Sequence, residues 1–223
     1  MNKNIWVSSD THFSHRNISG PKVSRWGGGY RDFEDEFEMN KHLVKIINQY
    51  VKEDDEYYHL GDWSFGGIEQ IWNFRKQINC KNIHLIFGNH DEHIKLNKVL
   101  PNVYEDEMTG MFLDGPPDPE AFHLEVKAQE LFTTTQDVLE TKFGKHRFFI
   151  SHYPHLSWHH INKGVIMLHG HEHANFNKLN INTSRMDVGV DSAKLILGEY
   201  RPFSIEEIIQ HNNSKTIKNL KHH

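Results

Sequence analysis

The chain has 223 residues, which suits one α/β domain with a sizeable core and is short for two independent domains. Hydrophobic residues make up 37% of it and charged residues 25%, and no apolar run approaches the roughly 20 residues of a membrane span, so we expect a soluble protein without a membrane partner. A formal net charge of −5 argues against a general electrostatic attraction to nucleic acid.

The first residues, the last residues and the single cysteine bear on where the protein resides. Residues 1–4 lead straight into an apparent strand, so no secretory signal is expected. Because Cys80 is the single cysteine, the chain cannot form an internal disulfide, which fits a reducing compartment. We interpret Cys80 as a small structural residue. We therefore predict a cytoplasmic protein. Residues 212–223 are interpreted as a tail, whose final His222 and His223 could be the remnant of a purification tag.

Short β-prone runs alternate with helical patterns in the first part of the chain. Two stretches, 37–51 and 68–78, place apolar residues near i, i+3, i+4 and i+7 spacing and predict helices. A further short helix is predicted over 204–210. The β-prone runs are residues 5–9, 57–60, 83–87, 147–150 and 165–169. This alternation predicts an α/β fold of largely βαβ topology.

Each of the five β-prone runs ends at a cluster of oxygen and nitrogen donors. The clusters are Asp10-Thr11-His12, Gly61-Asp62, Gly88-Asn89-His90-Asp91, Ser151-His152 and Gly170-His171-Glu172-His173. Ligand sites of open α/β sheets form outside the carboxyl ends of the strands, so we expect the five clusters to converge. Because residues two apart in a strand point to the same side, Asp10 with His12 and His171 with His173 are each predicted to present a pair of donors.

The chemistry of these donors favours a transition metal. A carboxylate together with imidazoles suits Mn, Fe, Co, Ni or Zn, whereas the scarcity of clustered carboxylates disfavours Ca or a pure Mg site. A lone histidine is more often structural than a ligand, but an ordered set at strand ends reverses that expectation. Gly61, Gly88 and Gly170 fit sites where the backbone turns sharply and approaches the ions closely.

In their order and spacing, the five clusters resemble the D-x-H, G-D, G-N-H-D/E, H and G-H-x-H motifs of the calcineurin-like metallophosphoesterase superfamily. The match spans residues 10–173, and the wording of residues 10–18, 58–62 and 151–154 is similar to small uncharacterised bacterial and phage phosphoesterases. The resemblance implies a four-layer α/β/β/α sandwich of two mixed sheets flanked by helices. It also implies a single domain over 1–211 with an insertion at about 105–145, located in the bacterial cytoplasm or, for a phage protein, that of the host.

By this resemblance the chain would hold two divalent metal ions. Asp62 would bridge both ions, which need a shared anionic ligand at a separation of roughly 4 Å and can hold a bridging hydroxide as the nucleophile. Mn is the first expectation, with Fe, Ni, Co or Zn as alternatives. His90 would be the general acid. The implied ligands are Asp10, His12, Asp62 and His173 for one ion, and Asp62, Asn89, His152 and His171 for the other.

Several neighbouring residues are candidates for substrate contacts or for support of the ligands. His15 and Arg16 could touch the substrate phosphate, with exposed loop positions as the alternative. Trp63 and Phe65 could stack on a nucleobase, with packing beneath the next helix as the alternative. Asp91 could orient a neighbouring group or cap a helix. Residues 25–31, with two arginines, two aromatics and three glycines, form a loop that either closes on an anion or is simply flexible.

The expected activity is the hydrolysis of phosphate esters, with nucleotide-type phosphodiesters favoured. Phe65 and Gly66 stand where the Ser/Thr protein phosphatases carry an aspartate and an arginine, so that activity is not expected. The expected partner is a small phosphate ester or nucleotide. A nuclease acting on DNA or RNA ends and a metal-binding scaffold without catalysis stay open as alternatives, as does the oligomeric state.

Overall fold

A computed structural model describes residues 3–26, 31–107, 109–115 and 123–217. Its strands are β1 (Ile5–Ser8), β2 (Glu56–His59), β3 (Asn82–Ile86), β4 (Val99–Asp106), β5 (Phe112–Asp114), β6 (His123–Lys127), β7 (Thr134–Gln136), β8 (Val138–Phe143), β9 (His146–Ser151), β10 (Ile166–His169), β11 (Arg185–Asp187) and β12 (Phe203–Ser204). Its α-helices are α1 (Arg16–Ser19), α2 (Glu36–Tyr50), α3 (Ile68–Arg75), α4 (Glu92–Lys95), α5 (Asn177–Asn180), α6 (Val190–Leu197) and α7 (Ile205–Asn213). The five β-prone runs correspond to β1, β2, β3, β9 and β10.

Two mixed sheets form the centre of the molecule. The first has the strand order β12-β1-β2-β3-β7, in which only β12 is antiparallel to its neighbour. The second has the order β11-β10-β9-β8, in which β8 is the antiparallel edge strand. Helices flank the sheets, and the expected α/β sandwich is confirmed.

Side chains that alternate along the strands build two separate layers of core. Tyr57 and Ile83 of the first sheet pack toward α2 and α3, in one cluster with Ile47 and Phe74. The opposite face packs against the second sheet, in a cluster that contains Val7, Leu60 and Ile86 together with Ile150, Leu168 and Met186. The edge strands β7 and β8 keep exposed side chains, whereas the polar motifs follow the ends of β1, β2, β3, β9 and β10.

A third sheet is antiparallel, with the order β5-β4-β6, and lies within residues 99–127. The segment expected as an insertion at about 105–145 therefore contributes to all three sheets, because β7 pairs with β3 and β8 pairs with β9. Most of the Gly-Pro run of residues 115–119 lies outside the described residues, as do residues 218–223 of the tail. Among the helices of the described ranges, none combines the length and apolar composition needed to cross a membrane.

The predicted helices are present, and their ends have clear physical causes. α2 begins after Asp35, whose carboxylate accepts a hydrogen bond from the amide of Glu38. Phe37, although part of the apolar pattern, is 74% exposed and lies outside the core. α7 begins after Ser204, whose hydroxyl accepts from the amide of Glu207 at 3.2 Å while the carboxylate of Glu207 accepts from the amide of Ser204 at 2.8 Å.

Substitution of Ser204 tests the start of α7. Ser204→Ala should lower the free energy of unfolding by about 1 kcal/mol, because the partly buried N–H group of Glu207 in the first turn loses its acceptor. Urea unfolding followed by circular dichroism measures the change. Ser214→Ala, at the other end of the same helix, is the control, and equal effects of the two substitutions would contradict the assignment.

Candidate metal centre

The donor residues lie just beyond the strand ends, in a backbone conformation that residues other than glycine rarely adopt. Asp10, His12, Asp62, His171 and His173 all have positive φ angles, between 46° and 72°. The expectation that strand alternation pairs Asp10 with His12 and His171 with His173 is therefore wrong, since both pairs lie in tight turns after β1 and β10. Such conformations cost about 1–3 kcal/mol each and cluster at functional sites.

These turns bring the donors into three overlapping groups, in each of which the ligand atoms lie within 4.8 Å of one another. The groups are Asp10, His12 and His173; His12, Asp62 and His90; and Asp62, His152 and His171. Asp62 Oδ2 lies 3.4 Å from His12 Nε2 and 3.6 Å from His152 Nε2, so its carboxylate stands between the two outer groups. Several His and Asp side chains of this chain can thus hold metal ions.

Asn89 completes the second outer group. Its side-chain oxygen lies 2.9 Å from His171 Nδ1 and 3.1 Å from His152 Nε2. The other ring nitrogen of His152, Nδ1, lies 2.7 Å from the carbonyl oxygen of Leu60 and donates to it. That hydrogen bond leaves the Nε2 lone pair pointing into the centre, as is usual for a histidine that binds a metal.

His12 provides the clearest test of whether these residues fit a metal. Its ring is 2% exposed, and neither ring nitrogen has a hydrogen-bond partner among the described residues. Burial, followed by nearby cationic groups, lowers the pKa of His12 well below its usual value, so the ring is neutral. A buried imidazole without a partner is costly, and coordination of a cation would satisfy it. The donor set therefore fits divalent metal ions.

Asp91 holds the loops that carry Asp62 and Asn89. Its carboxylate accepts hydrogen bonds from the backbone amides of Asp62 and Gly88 at 2.8 Å and of Trp63 at 3.0 Å. It makes no capping hydrogen bond to α4. Burial raises the pKa of Asp91 to about 6, while these amides oppose the shift. Of the two alternatives for Asp91, the structure supports orientation of the neighbouring loop.

The three motif glycines lie where the backbone approaches the donors, as expected. A Cβ on Gly88 would collide with the carboxylate of Asp62, and one on Gly170 with that of Asp10. Gly61 has φ +91° and packs directly on the backbone of Gly88. Only glycine fits these positions without displacing a ligand.

Arg31 and Asp191 form a supporting pair whose role the sequence does not reveal. The buried guanidinium of Arg31 donates to the carbonyl oxygens of Asp10 at 2.5 Å and Thr11 at 2.9 Å, and to both carboxylate oxygens of Asp191 at 2.9 and 3.0 Å. Asp191 Oδ2 in turn lies 2.7 Å from His173 Nδ1. Arg31 thus links the first motif to the last, and its guanidinium is already engaged by these partners. Residues 27–30 of the predicted loop 25–31 lie outside the described residues.

The charges of this group are coupled. Burial opposes ionisation of Asp191, but Arg31 and His173 together hold the pKa of its carboxyl far below the usual range. Burial alone would lower the pKa of His173, yet the hydrogen bond to Asp191 and the proximity of Asp10 raise it overall. Asp191 follows Gly189 and Val190 at the start of α6. No motif in the sequence distinguishes it from an ordinary acidic residue in the first turn of a helix.

The candidate substrate residues fall into two classes. His15, Phe65 and His90 lie together beside the donors: the ring of Phe65 stacks on His15 at a centroid distance of 3.9 Å and lies 5.3 Å from His90. Trp63, by contrast, is fully buried and packs against Phe74 in the core, so its expected stacking on a nucleobase is wrong and its packing alternative is correct. Arg16 is exposed on α1, and its side chain does not line the cleft at His15.

Other histidines have structural partners. His59 Nε2 lies 2.9 Å from Thr11 Oγ1, and His84 lies 2.8 Å from a carboxylate oxygen of Glu56. His169 is fully buried and contacts Asn180.

Comparisons with known proteins support the fold and leave the activity open. No family model matches the chain. The Gene 66 protein of Mycobacterium phage D29 is 25% identical over 202 residues, which covers 85% of this chain and 88% of that protein. An uncharacterized protein of Methanocaldococcus jannaschii is 26% identical over 212 residues, which covers 93% of this chain and 90% of that protein.

Two solved structures are similar to this one at 19% identity. A protein of unknown function from Aquifex aeolicus superposes with a TM-score of 0.57 and covers 94% of this chain and 99% of its own. That similarity shows the fold alone. An archaeal phosphodiesterase superposes with a TM-score of 0.37 and covers 76% of this chain and 73% of its own, which is too distant to carry an argument.

Removal of the charge on Asp191 tests the support of His173. Asp191→Asn should weaken Mn²⁺ binding about 10- to 100-fold at the group of Asp10, His12 and His173, because the orientation of the His173 ring is no longer fixed. Isothermal titration against a competing chelator measures the affinity. Asp137→Asn, an exposed partner of Lys95, is the matched control. Unchanged affinity in Asp191→Asn would contradict this role.

The protonation of Asp10 predicts a pH dependence. Burial, with help from nearby Asp187 and Asp62, raises the pKa of Asp10 in the metal-free protein to about 7, above the ordinary 3.8. The folded protein therefore favours the protonated form of Asp10. The stability that this form contributes is complete below pH 3.8 and is lost as the pH rises through about 7. Metal binding requires the carboxylate, so the increase in melting temperature on adding Mn²⁺ should grow between about pH 5.5 and about pH 7.5.

Differential scanning fluorimetry at fixed Mn²⁺ concentration measures this increase. Asp10→Asn, which cannot titrate, should give a smaller increase with less dependence on pH. An increase in wild-type protein that is the same at both pH values would show that deprotonation of Asp10 does not limit metal binding.

Proposed function

We propose that the protein is a metallophosphoesterase of the calcineurin-like type, which hydrolyses phosphate esters and favours phosphodiesters of nucleotide type. The observation that carries the proposal is the position of the Asp62 carboxylate between two groups of metal donors. Two cations held side by side repel each other, and a shared anionic ligand offsets that repulsion. A single structural metal would not require this arrangement.

Seven residues would hold two divalent ions, with Mn as the first choice and Fe, Ni, Co or Zn as alternatives. One ion would be held by Asp10, His12, Asp62 and His173, and the other by Asp62, Asn89, His152 and His171. When bound, such a pair supplies Lewis acidity toward the phosphoryl oxygens and lowers the pKa of an attacking water. The mixture of carboxylate, amide and imidazole donors suits transition metals better than Ca.

His90 is the residue best placed to deliver a proton to the leaving group. Its backbone amide donates to Asp62 Oδ1 at 2.9 Å, which fixes its main chain against the proposed bridging carboxylate. Its ring is exposed to the cleft and lies 5.2 Å from that of His12. A ring nitrogen of His90 can therefore reach the oxygen of an ester whose phosphorus lies at the donors, and general acid catalysis there is worth about 10²- to 10⁴-fold.

Two substitutions separate the role of the proposed bridge from that of the acid. Asp62→Asn should abolish turnover of bis(p-nitrophenyl) phosphate at limiting Mn²⁺. His90→Ala should lower kcat about 10²- to 10⁴-fold for a diester with an alkyl leaving group, and less for p-nitrophenolate, which leaves without protonation. Steady-state kinetics with both substrates measure the difference.

The control for His90 is His159→Ala, an exposed histidine paired with Glu140 on another part of the surface. Wild-type rates in Asp62→Asn would overturn the proposed mechanism, and equal losses for both leaving groups in His90→Ala would remove the general-acid role. Cleavage of oligonucleotides in preference to small diesters, with binding that weakens strongly in salt, would favour the nuclease alternative.

A further inference from the structure

Two clefts meet at His90. The first, which we call the tryptophan cleft, has a volume of about 410 Å³ and is lined by Trp26, Leu195, Tyr200, Lys194 and Asn175 in addition to residues of the metal centre. The second, which we call the glycine cleft, has a volume of about 340 Å³ and lies along residues 64–67 and 89–93. His90 lines both. A phosphodiester has two ester arms, and one phosphorus at the donors would direct them into these two clefts.

The tryptophan cleft is continuous with the proposed metal centre. Its floor includes His12 and His173, which belong to the first group of donors, and its edge includes His90. A group that occupies this cleft therefore lies next to the phosphorus of a bound ester. The cleft is part of the reaction site and is not a separate pocket.

The walls of this cleft expose apolar surface that the described residues leave uncovered. Trp26 is 48% exposed and Leu195 is 71% exposed, although both line a concave surface. The ring of Trp26 is supported on one side by an edge contact with His15, at a centroid distance of 5.2 Å. A supported but open indole ring is a surface on which a planar aromatic group can stack.

Polar groups on the same walls suit a heteroaromatic ring better than a plain aryl ring. Lys194 places its ammonium 5.1 Å from the centroid of the Tyr200 ring, at the rim of the cleft, with Asp32 as a partner at 3.6 Å. Asn175 is exposed and offers both an amide donor and an acceptor. A nucleobase presents hydrogen-bonding edges around a flat face, so it can use the indole, the ammonium and the amide together.

The glycine cleft lacks an equivalent free platform. Phe65, the one Phe, Tyr or Trp side chain among the described residues that lines it, already stacks on His15 with an interplanar angle of 13°. Gly66 and Gly67 contribute only backbone, and Glu92 adds an acidic group. This cleft suits a smaller polar arm, such as a sugar or an alcohol.

We propose that the tryptophan cleft is a nucleobase subsite, in which Trp26 and Leu195 receive the base of one arm of a phosphodiester while the glycine cleft receives the other arm. This subsite rests on the proposed function, which places the phosphorus of the ester at the metal donors. It goes beyond that function because it assigns the base to Trp26 and not to Trp63 or Phe65.

The test compares two ligands that the protein cannot hydrolyse. One is the phosphonate analogue of adenosine 5′-monophosphate in which a methylene group replaces the ester oxygen, and the other is the same analogue of ribose 5-phosphate. With Mn²⁺ present, isothermal titration of wild-type protein should show about 5- to 150-fold tighter binding of the adenosine compound, which is the range that stacking of one base supplies. Trp26→Ala should remove most of this ratio, and Leu195→Ser part of it.

Matched controls are available on distant exposed surfaces. Phe37→Ala removes an aromatic ring that is 74% exposed, and Leu156→Ser removes a leucine that is 89% exposed, and neither residue lines the two clefts. Both variants should keep the wild-type ratio. Equal affinities for the two ligands in wild-type protein, or a ratio that Trp26→Ala leaves unchanged, would overturn the subsite.

Turnover of bis(p-nitrophenyl) phosphate, measured on the same samples, keeps the two proposals apart. Hydrolysis without preference for the adenosine ligand would reject the nucleobase subsite and leave the phosphoesterase function standing. A preference that depends on Trp26, without hydrolysis of any diester, would support the subsite and reject the hydrolytic function. Absence of both would reject both.

Discussion

The carboxylate of Asp10 joins the two mixed sheets, and the rest of the site depends on it. Asp10 follows β1 of the first sheet, and its two oxygens each lie 3.0 Å from the backbone amide of His171, which follows β10 of the second sheet. A fully buried carboxylate is costly to ionise unless cations or N–H groups compensate for the lost water. The fold provides the amide, and a divalent cation held with His12 and His173 would provide the charge.

Buried acids and one buried arginine maintain the strained turns around this carboxylate. Asp91 connects the loops after β2 and β3. Asp187, in β11 of the second sheet, accepts hydrogen bonds from the amides of Ala174 and Gly189. Arg31 connects the first motif to Asp191 and thereby to His173. Positive φ angles at the ligands are stable only when surrounding contacts of this kind fix them. The donors are therefore preorganised by residues that would not touch the metal ions themselves.

The substrate side of the site depends on the same framework. Asp191, the partner of Arg31, lines the tryptophan cleft, and Lys194 follows it one turn later on α6. One helix therefore positions both a support for His173 and a wall of the proposed nucleobase subsite. Changes in α6 would therefore affect metal binding and substrate choice together.

The strand runs and the donor motifs could be predicted because both are local properties of the chain. Apolar periodicity locates β1, β2, β3, β9 and β10, and parallel strands deliver their carboxyl ends to one edge whatever their separation in sequence. The close approach of the backbone to the donors at Gly61, Gly88 and Gly170 could be predicted as well, because these glycines lie at the same strand ends. The pairing of Asp10 with His12 was expected for the wrong reason, since a left-handed turn and not strand alternation brings them together.

What the sequence determined by itself is the α/β architecture and the set of donors, because hydrophobic periodicity and side-chain chemistry are read one segment at a time. Only the tertiary structure decided that Trp63 is core while Trp26 is open, that β7 and β8 complete the larger sheets, and that Arg31 meets Asp191 across 160 residues of sequence. Those outcomes depend on which buried surfaces and charges meet in space, and no local pattern encodes such long-range pairing.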